Sequence, residues 1–354
     1  MHMPLRAMVA GIDGFGRFTL HLLKYWLDRS DQTPFTIRYL NDPVLSLEEA
    51  REILQNDEYV DFSGYRISTE DSCLSIADQA HRKHQLLYSR ESDLDAIPWT
   101  GKPDFFFECS GRSTVAQNYR PLIRGRTRQV LISATSMDAD QTLVYGFNHE
   151  TWAPRSRVIS YGSCTVNCYV PLAAWMHRRY GIVDSDVNVV HNTPRHRRKH
   201  TLVRCPCTLE QSGPKLLPFL QPDRFAVNYT IVPYSGVSML DLRFQIARPV
   251  SPGEFVRDLV RATTGGELAG LYQVDPVDVG PEAYVCTRYN AVFIENQIRV
   301  RGNNIYLSAY FDNENSASRF YDLASYLSTK LSSSNPKVTP HPAATDRDLH
   351  ANRP

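Results

Sequence analysis

The chain has 354 residues, of which 42% are apolar and 22% charged, and its formal net charge at pH 7 is +1. This balance is that of an ordinary soluble globular protein, long enough for two domains with separate cores. The near-zero charge gives no electrostatic reason to expect nucleic acid or a membrane as a partner, and no apolar run approaches the roughly 20 residues of a membrane span.

The cysteines indicate the compartment and the type of site. The chain has seven cysteines, an odd number, and its N-terminus lacks a secretory signal pattern. We therefore expect the protein to be located in a reducing cytoplasm. Cys205-Pro-Cys207 has no second pair of ligands at metal-binding spacing, and we therefore predict no metal site.

The N-terminal residues have the pattern of a dinucleotide-binding βαβ unit. An apolar strand at 7–12 runs into Asp13-Gly-Phe-Gly-Arg17, where an amphipathic helix begins. A second strand at 35–40 ends at Asn41-Asp-Pro43. A strand, a glycine turn, a helix and a strand with an acidic end form the opening of such a unit.

The glycine turn departs from the full fingerprint at one position. Gly14 and Gly16 would let the backbone approach a pyrophosphate at the helix N-terminus, but Thr19 stands where a third glycine is usual. Asp42 would accept hydrogen bonds from the ribose hydroxyls and repel the additional phosphate of NADP, which favours NAD. A plain surface turn is the alternative interpretation of each segment.

The remaining elements predict two sheets. Strands at 104–108, 129–133 and 157–160 end at small or hydroxyl residues, as at the nucleotide edge of a parallel sheet. A helix at 167–180 follows, and then come alternating strands at 186–191, 226–233, 237–246, 290–295 and 304–311.

We therefore expect an α/β protein with a Rossmann-type NAD-binding domain and an α+β catalytic domain whose sheet is mostly antiparallel. The first domain would cover 1–163, completed by a C-terminal helix at 316–331, and the second 164–315. The polar residues 332–354 are predicted to be a disordered tail.

The segment Tyr161-Gly-Ser-Cys-Thr-Val-Asn-Cys168 carries the main chemical signal. Cys164 lies between two hydroxyl residues, and His191 follows about a helix and a strand later. A thiol is a strong nucleophile only as a thiolate, and a positioned imidazole is a common means of producing one. A buried structural cysteine is the alternative, and Cys168, one helical turn on, is interpreted as a packed neighbour.

Several segments resemble motifs of the glyceraldehyde-3-phosphate dehydrogenases, in the same order, over most of residues 7–330. They are Gly11-Ile-Asp-Gly-Phe-Gly-Arg17, Asn41-Asp-Pro43, Ser110-Gly111, Ile132-Ser-Ala134, Gly146-Phe-Asn-His149, Ser163-Cys-Thr-Val-Asn-Cys168 and Asp312-Asn-Glu314. The resemblance implies a Cys-based, NAD-dependent aldehyde dehydrogenase in which inorganic phosphate releases a thioester as an acyl phosphate. It also implies a homo-oligomer, a tetramer or a dimer.

The resemblance assigns roles to residues of this chain. Cys164 would be the nucleophile and His191 its base. The cofactor would be bound by Gly14, Gly16, Arg17, Phe18, Asp42, Arg90, Ser133 and Asn313. The attacking phosphate would be bound by Ser163, Thr165, Ser212 and Gly213.

The site for the substrate's own phosphate departs from the family. Ile231 stands where the family has an arginine, and Pro194 where it has a threonine. The loop between His191 and Ser212 is shorter than is usual for the family, and it is basic. One interpretation is that an arginine within 195–204 replaces the missing phosphate-binding arginine, and the alternative is that the loop is only a solvated basic surface. Its shortening puts the usual tetramer in doubt.

Three functions remain open at this stage. The first is the NAD-dependent, Cys-based aldehyde dehydrogenase that the resemblance implies, or a relative of it specialised for erythrose 4-phosphate or another aldehyde. The second is an enzyme resembling aspartate-semialdehyde dehydrogenase. The third is a non-catalytic NAD-binding member of the family, suggested by the losses at positions 19 and 231 and by Asn315-Ser-Ala317.

Overall fold

A computed structural model of the chain describes residues 7–193, 202–234, 236–312 and 316–333. The strands β1 to β17 span Met8–Asp13, Phe35–Asn41, Arg66–Glu70, Cys73–Ala77, Lys83–Ser89, Phe105–Glu108, Gln129–Ile132, Gln141–Thr142, Val158–Ser160, Ile182–His191, Val203–Arg204, Phe225–Ile231, Ser238–Ile246, Tyr272–Asp275, Ala291–Ile294, Arg299–Arg301 and Asn304–Phe311. The α-helices α1 to α6 span Arg17–Asp28, Leu47–Asn56, Cys164–Tyr180, Thr208–Leu216, Pro252–Gly265 and Ala317–Ser333. Short 3-10 helices lie at Ala116–Leu122, His149–Thr151, Pro281–Tyr284 and Glu295–Gln297.

The first sheet has nine strands in the order β3-β4-β5-β2-β1-β6-β7-β9-β8. From β5 to β8 each neighbouring pair is parallel, whereas β3, β4 and β5 pair antiparallel at one edge. Apolar clusters cover both faces, as a parallel sheet requires. The carboxyl ends of β1, β2, β6 and β7 therefore meet along one edge, and the predicted Rossmann-type unit is confirmed.

The second sheet has eight strands, in the order β11-β12-β10-β13-β17-β15-β14 with β16 also paired to β17. Five of its seven strand pairs are antiparallel, and β10–β12 and β14–β15 are parallel. Its core includes the buried face of α3, which follows directly from the first sheet. The prediction of a mostly antiparallel second sheet is thereby confirmed.

The C-terminal helix α6 returns to the first sheet. Its Phe320 ring meets Phe107 of β6 edge to face at 5.1 Å and Phe18 of α1 at 5.5 Å. Aromatic pairs in this geometry add roughly 0.5–1.5 kcal/mol beyond the area that they bury. The last helix is thus fixed beside α1, although the chain between them has passed through the second sheet.

Two predicted boundaries were wrong by a few residues. The helix expected at 167 begins at Cys164, because the Ser163 hydroxyl caps it by accepting from the Val166 N–H at 3.3 Å. The C-terminal helix extends to Ser333, so the first two residues of the predicted tail are helical. The rest of that tail, 334–354, lies outside the described residues.

A tyrosine completes the hydrogen bonding of α3 where a proline interrupts it. Pro171 has no N–H to donate to the carbonyl of Asn167. The buried Tyr272 hydroxyl lies 3.3 Å from that carbonyl oxygen, donates to the Cys168 carbonyl at 2.6 Å and accepts from the Leu172 N–H at 3.1 Å. The helix therefore continues without a break one turn beyond Cys164.

We expect Tyr272→Phe to lower the free energy of unfolding by about 1–3 kcal/mol, because buried carbonyl groups lose their donor. Urea unfolding followed by circular dichroism measures the effect. Tyr306→Phe, at a side chain that is 38% exposed, is the matched control and is expected to change stability by less than about 0.5 kcal/mol. Equal stability of Tyr272→Phe and the unmodified chain would contradict this role.

Candidate active site

A thiol and an imidazole meet between the two sheets. Cys164 is the first residue of α3, and His191 is the last residue of β10. The Cys164 Sγ lies 3.6 Å from the His191 Nε2, and both side chains are at most 9% exposed. A helix N-terminus favours a negative charge, so the thiolate form of Cys164 has both a partial positive charge and a base beside it.

The other nitrogen of His191 defines the tautomer. The His191 Nδ1 lies 2.7 Å from the Asn192 carbonyl oxygen, which can only accept, so Nδ1 carries the proton. Burial lowers the pKa of His191, and this hydrogen bond offsets the change only in part. The imidazole is therefore neutral at pH 7, and Nε2 presents its lone pair to the thiol.

Aromatic side chains enclose this pair. The His191 ring lies 5.3 Å from the ring of Tyr229 and 5.9 Å from that of Phe311. Burial, followed by the neighbouring Cys164 and Cys207, raises the pKa of the Tyr229 hydroxyl. Tyr229 was not singled out from the sequence, where only the alternation of its strand was visible.

Four hydroxyl groups form a connected cluster beside Cys164, which we call the hydroxyl cluster: Thr135, Ser163, Thr165 and Thr208. The Ser163 Oγ lies 3.1 Å from the Thr165 Oγ1 and 3.4 Å from the Thr208 Oγ1, which is 3.3 Å from the Thr135 Oγ1. Ser163 caps α3, and Thr208 is the first residue of α4. Two helix N-termini therefore face the hydroxyl cluster, an arrangement that favours an anion.

Ser212 and Gly213, which were also expected at this position, are not brought to the hydroxyl cluster. Both lie inside α4, where the Ser212 hydroxyl donates to the Thr208 carbonyl at 2.8 Å. Gly213 packs closely on Phe225, since a Cβ there would come within 2.9 Å of its ring. The hydroxyl cluster contains Thr208 and Thr135 instead of these two residues.

The glycine turn has the form that close approach of a phosphate requires. Gly14 has φ +100°, and a Cβ there would lie 2.3 Å from the Ser110 Cα, so no other residue fits. At Gly16 a Cβ would meet no atom within 4 Å in the described part of the chain. Gly16 also precedes α1 and supplies no side chain to cap its first amide groups. The buried Thr19 hydroxyl donates to the Gly14 carbonyl at 2.7 Å and so supports the turn.

Asp42 and Arg90 lie together beside the glycine turn. The Asp42 carboxylate accepts from the Phe15 N–H at 2.8 Å, from the Val44 N–H at 2.9 Å and from the Leu45 N–H at 3.0 Å. Arg90 donates to the Val44 carbonyl at 3.1 Å. Asp42 thus shapes the loop itself, and its contact with a ribose stays a prediction.

The other predicted cofactor residues have different surroundings. Arg17 lies with its guanidinium 5.0 Å from the centre of the Tyr59 ring, and Phe18 packs edge to face on Tyr161 at 5.7 Å. Ser133 follows β7 and donates its N–H to the Glu108 carbonyl at 2.9 Å. Asn313 lies outside the described residues.

A buried pair of carboxyl groups lies beneath the glycine turn. Asp13 and Glu108 are register partners at the ends of β1 and β6. Asp13 accepts from Asn41 at 2.8 Å and from the Arg112 guanidinium at 2.5 Å. Burial, and then the neighbouring Asp13, raise the pKa of Glu108 to about 7. This pair of carboxyl groups is not predicted from the sequence, because Asp13 and Glu108 belong to separate strands.

Position 231 lies directly beside His191. Ile231 ends β12 and is the register partner of His191 on the adjacent parallel strand. It presents an aliphatic side chain where the resemblance would place an arginine. Of the basic loop, Arg204 donates to the Asn228 side chain at 3.4 Å, whereas Pro194 and 195–201 lie outside the described residues.

The structure thus combines a Rossmann-type glycine turn in one sheet with a thiol–imidazole pair between the two sheets. No model of a known protein family matches the chain. It is similar to glyceraldehyde-3-phosphate dehydrogenase 3.1 of Caenorhabditis briggsae, at 25% identity over 341 residues, 90% of this chain and 98% of the relative. It is also 28% identical to the glyceraldehyde-3-phosphate dehydrogenase of Sordaria macrospora over 340 residues, 90% of this chain and 96% of the relative.

A chloroplastic glyceraldehyde-3-phosphate dehydrogenase of Arabidopsis thaliana is 27% identical over 323 residues, 86% of this chain and 74% of the relative. The chain is thus similar over most of its length to proteins named glyceraldehyde-3-phosphate dehydrogenase, at 25–28% identity in these three comparisons. Since the named relatives include a chloroplastic one, the cytoplasmic location stays a prediction. Among the residues that the structure describes, no helix combines the length and the apolar character of a membrane span.

We expect His191→Asn to slow alkylation of Cys164 by iodoacetamide at pH 7 by about ten- to thirtyfold. A thiol with an ordinary pKa of about 8.5 is only about 3% ionised at that pH when no base assists it. Mass spectrometry of the peptide that contains Cys164 measures the rate and separates it from the other cysteines.

At pH 10 the rates of His191→Asn and the unmodified protein are expected to converge, because the thiol then ionises unaided. His81→Asn, at an exposed residue with φ +61° that asparagine tolerates, is the control. The same rate at pH 7 with and without His191 would show that the imidazole does not activate the thiol.

Proposed function

We propose that this protein is an NAD-dependent, phosphorylating aldehyde dehydrogenase that works through a thioester on Cys164. The observation that carries the proposal is the 3.6 Å contact between the Cys164 Sγ and the His191 Nε2, with the Nδ1 proton held by the Asn192 carbonyl. This is a nucleophile, a base and a group that orients the base, in the order that acyl-transfer chemistry uses.

His191 would take the thiol proton as the Cys164 sulfur bonds to the aldehyde carbon. The resulting hemithioacetal oxygen would lie near the N-terminus of α3, whose amide groups and dipole stabilise negative charge. His191 would return the former thiol proton to this oxygen and take it up again as hydride leaves the same carbon. That step yields a thioester on Cys164.

The residues around Gly14 and Gly16 fit a dinucleotide. Open space above Gly16 and the N-terminus of α1 suit a pyrophosphate, and Arg90 and Asp42 border the neighbouring loop. Bound NAD would supply the hydride acceptor. The proposal assigns this cofactor to residues 1–163 together with α6, and the aldehyde to residues 164–315.

Inorganic phosphate is the proposed second substrate, bound at the hydroxyl cluster. A phosphate oxygen would attack the thioester carbon, release an acyl phosphate and return the sulfur to Cys164 as thiolate. The hydroxyl groups of Ser163, Thr165 and Thr208 offer donors, and two helix N-termini face them. Thr208 thus joins the predicted phosphate ligands.

The aldehyde itself is proposed to differ from glyceraldehyde 3-phosphate in the group far from its carbonyl. Ile231 beside His191 gives no charge-assisted contact to a phosphate. Losing one such contact weakens binding by about 1.5–3 kcal/mol, roughly ten- to a hundredfold. A non-phosphorylated aldehyde fits this proposal, and so does erythrose 4-phosphate if its longer chain carries the phosphate beyond Ile231.

The test is NADH formation at 340 nm with purified protein, NAD and inorganic phosphate. Glyceraldehyde, glyceraldehyde 3-phosphate and erythrose 4-phosphate are compared, and turnover with at least one is expected to require phosphate. Cys164→Ser is expected to lower kcat by about a thousandfold or more, because a serine hydroxyl is rarely ionised. Cys73→Ser on the distant β4 serves as the matched control.

Retained turnover in Cys164→Ser would contradict the mechanism. Absence of turnover with every aldehyde would favour the non-catalytic family member if Cys164 is also alkylated slowly, and a different aldehyde substrate if Cys164 is alkylated rapidly. A preference for glyceraldehyde 3-phosphate over glyceraldehyde by more than a hundredfold would contradict the proposed substrate difference. A homo-oligomer, tetramer or dimer, is part of the same proposal and is checked by light scattering.

A further inference from the structure

A second pocket lies between the two sheets and shares no residue with the Cys164–His191 pair. Its volume is about 270 Å³. Arg29 follows the end of α1, Arg319 lies in the first turn of α6, and Arg288 belongs to the loop before β15. All three line the pocket together with Asp322, and we call it the arginine pocket.

The arginine pocket carries an excess of positive charge. Three guanidinium groups and one carboxylate give +3 − 1, a net charge of about +2. Arg319 pairs with Asp322 at 3.2 Å, whereas Arg29 and Arg288 form no ion pair among the described residues. Burial raises the pKa of Asp322, and the positive charges of Arg319, Arg29 and Arg288 oppose that rise. The three guanidinium groups therefore lie close to the same carboxyl group.

Surrounding contacts hold the guanidinium groups of Arg319 and Arg29 in place. Arg319 is 6% exposed and donates to the Arg288 carbonyl at 3.0 Å. Arg29 lies over the rings of Tyr25 and Tyr321, at 5.3 and 5.7 Å from their centres. Planar donors fixed in this way lose little freedom when they bind an anion, and like charges held close together favour an anion between them.

Phenol groups and a helix end complete the surroundings. Tyr25, Tyr145 and Tyr321 form apolar walls with polar edges. The first turn of α6 adds the positive end of its dipole to the same space. The volume lies just below the range of about 300–1,000 Å³ that is usual for small-molecule sites, so the ligand must be small.

We propose that the arginine pocket binds the dianionic phosphate group of a small phosphate monoester. Such a group carries a charge of about −1.5 to −2 at pH 7 and has oxygens that accept from several guanidinium groups at once. The pocket joins α1 and α6 of the first sheet to the loops at Gly270 and Arg288 of the second. A bound ester therefore links the two halves of the molecule and stabilises the folded chain.

Calorimetric titration of the full chain with sn-glycerol 3-phosphate tests this proposal, because this monoester lacks an aldehyde and is not turned over. Glycerol is expected not to bind, and inorganic phosphate is expected to bind more weakly than the ester. Binding of inorganic phosphate that is as tight as that of the ester and is lost in Arg29→Gln/Arg288→Gln would overturn the assignment of an ester.

Arg288→Gln, at an exposed side chain, is expected to weaken binding of the ester about tenfold, and the double variant Arg29→Gln/Arg288→Gln about a hundredfold or more. Arg257→Gln, on the exposed face of α5, is the matched control and should bind as the unmodified chain does. Circular dichroism and melting curves without ligand check that each variant is folded.

Equal affinity in the double variant and the unmodified chain, or no binding of the ester to either, would overturn the proposal. Any ester bound near Cys164 is unaffected by these substitutions, so the loss on substitution reports the arginine pocket alone. The binding measurement does not require turnover of an aldehyde. NADH formation by the Arg29→Gln/Arg288→Gln variant is measured separately, so failure of this proposal can be distinguished from failure of the proposed function.

Discussion

The contact between the Cys164 thiol and the His191 imidazole depends on how the two sheets meet. Cys164 follows β9 of the first sheet through three residues, whereas His191 ends a strand of the second. The Asn167 amide donates to the carbonyls of Tyr161 and Ser163 at 3.0 Å, and Tyr272 completes the helix at Pro171. These contacts around α3 help to fix the 3.6 Å distance between the Cys164 Sγ and the His191 Nε2, on which the proposed catalysis depends.

The sequence predicted the two sheets and the meeting of Cys164 with His191, because ordered motifs and strand patterns are local signals. Of the hydroxyl cluster it singled out Ser163 and Thr165 but not Thr135 and Thr208, which are 73 residues apart and meet only through tertiary packing. Thr19 stands where the fingerprint has a third glycine, so the sequence indicates an incomplete glycine turn. In the structure the Thr19 hydroxyl supports this turn through its hydrogen bond to the Gly14 carbonyl. The elements predicted from the sequence do not include helix α2. Its start could have been predicted, because Ser46-Leu-Glu-Glu49 has the pattern of a capping box.

Two kinds of anion site follow from the distribution of charge. The hydroxyl cluster has uncharged donors and helix ends, which suit a phosphate that must leave as part of a product. The arginine pocket has fixed guanidinium groups, which suit an anion that is retained. Ile231 leaves the position beside His191 apolar. Under the proposed function, the aldehyde would therefore be one that needs no charge-assisted contact at that position.

Trapping the acyl group on the protein tests the central claim most directly. Purified protein is mixed with NAD and an aldehyde in the absence of phosphate, and its intact mass is measured. The account predicts a gain of one acyl group on Cys164, formed together with one NADH and lost when phosphate is added. NADH formation without an adduct on Cys164, or an adduct on another cysteine, would contradict it.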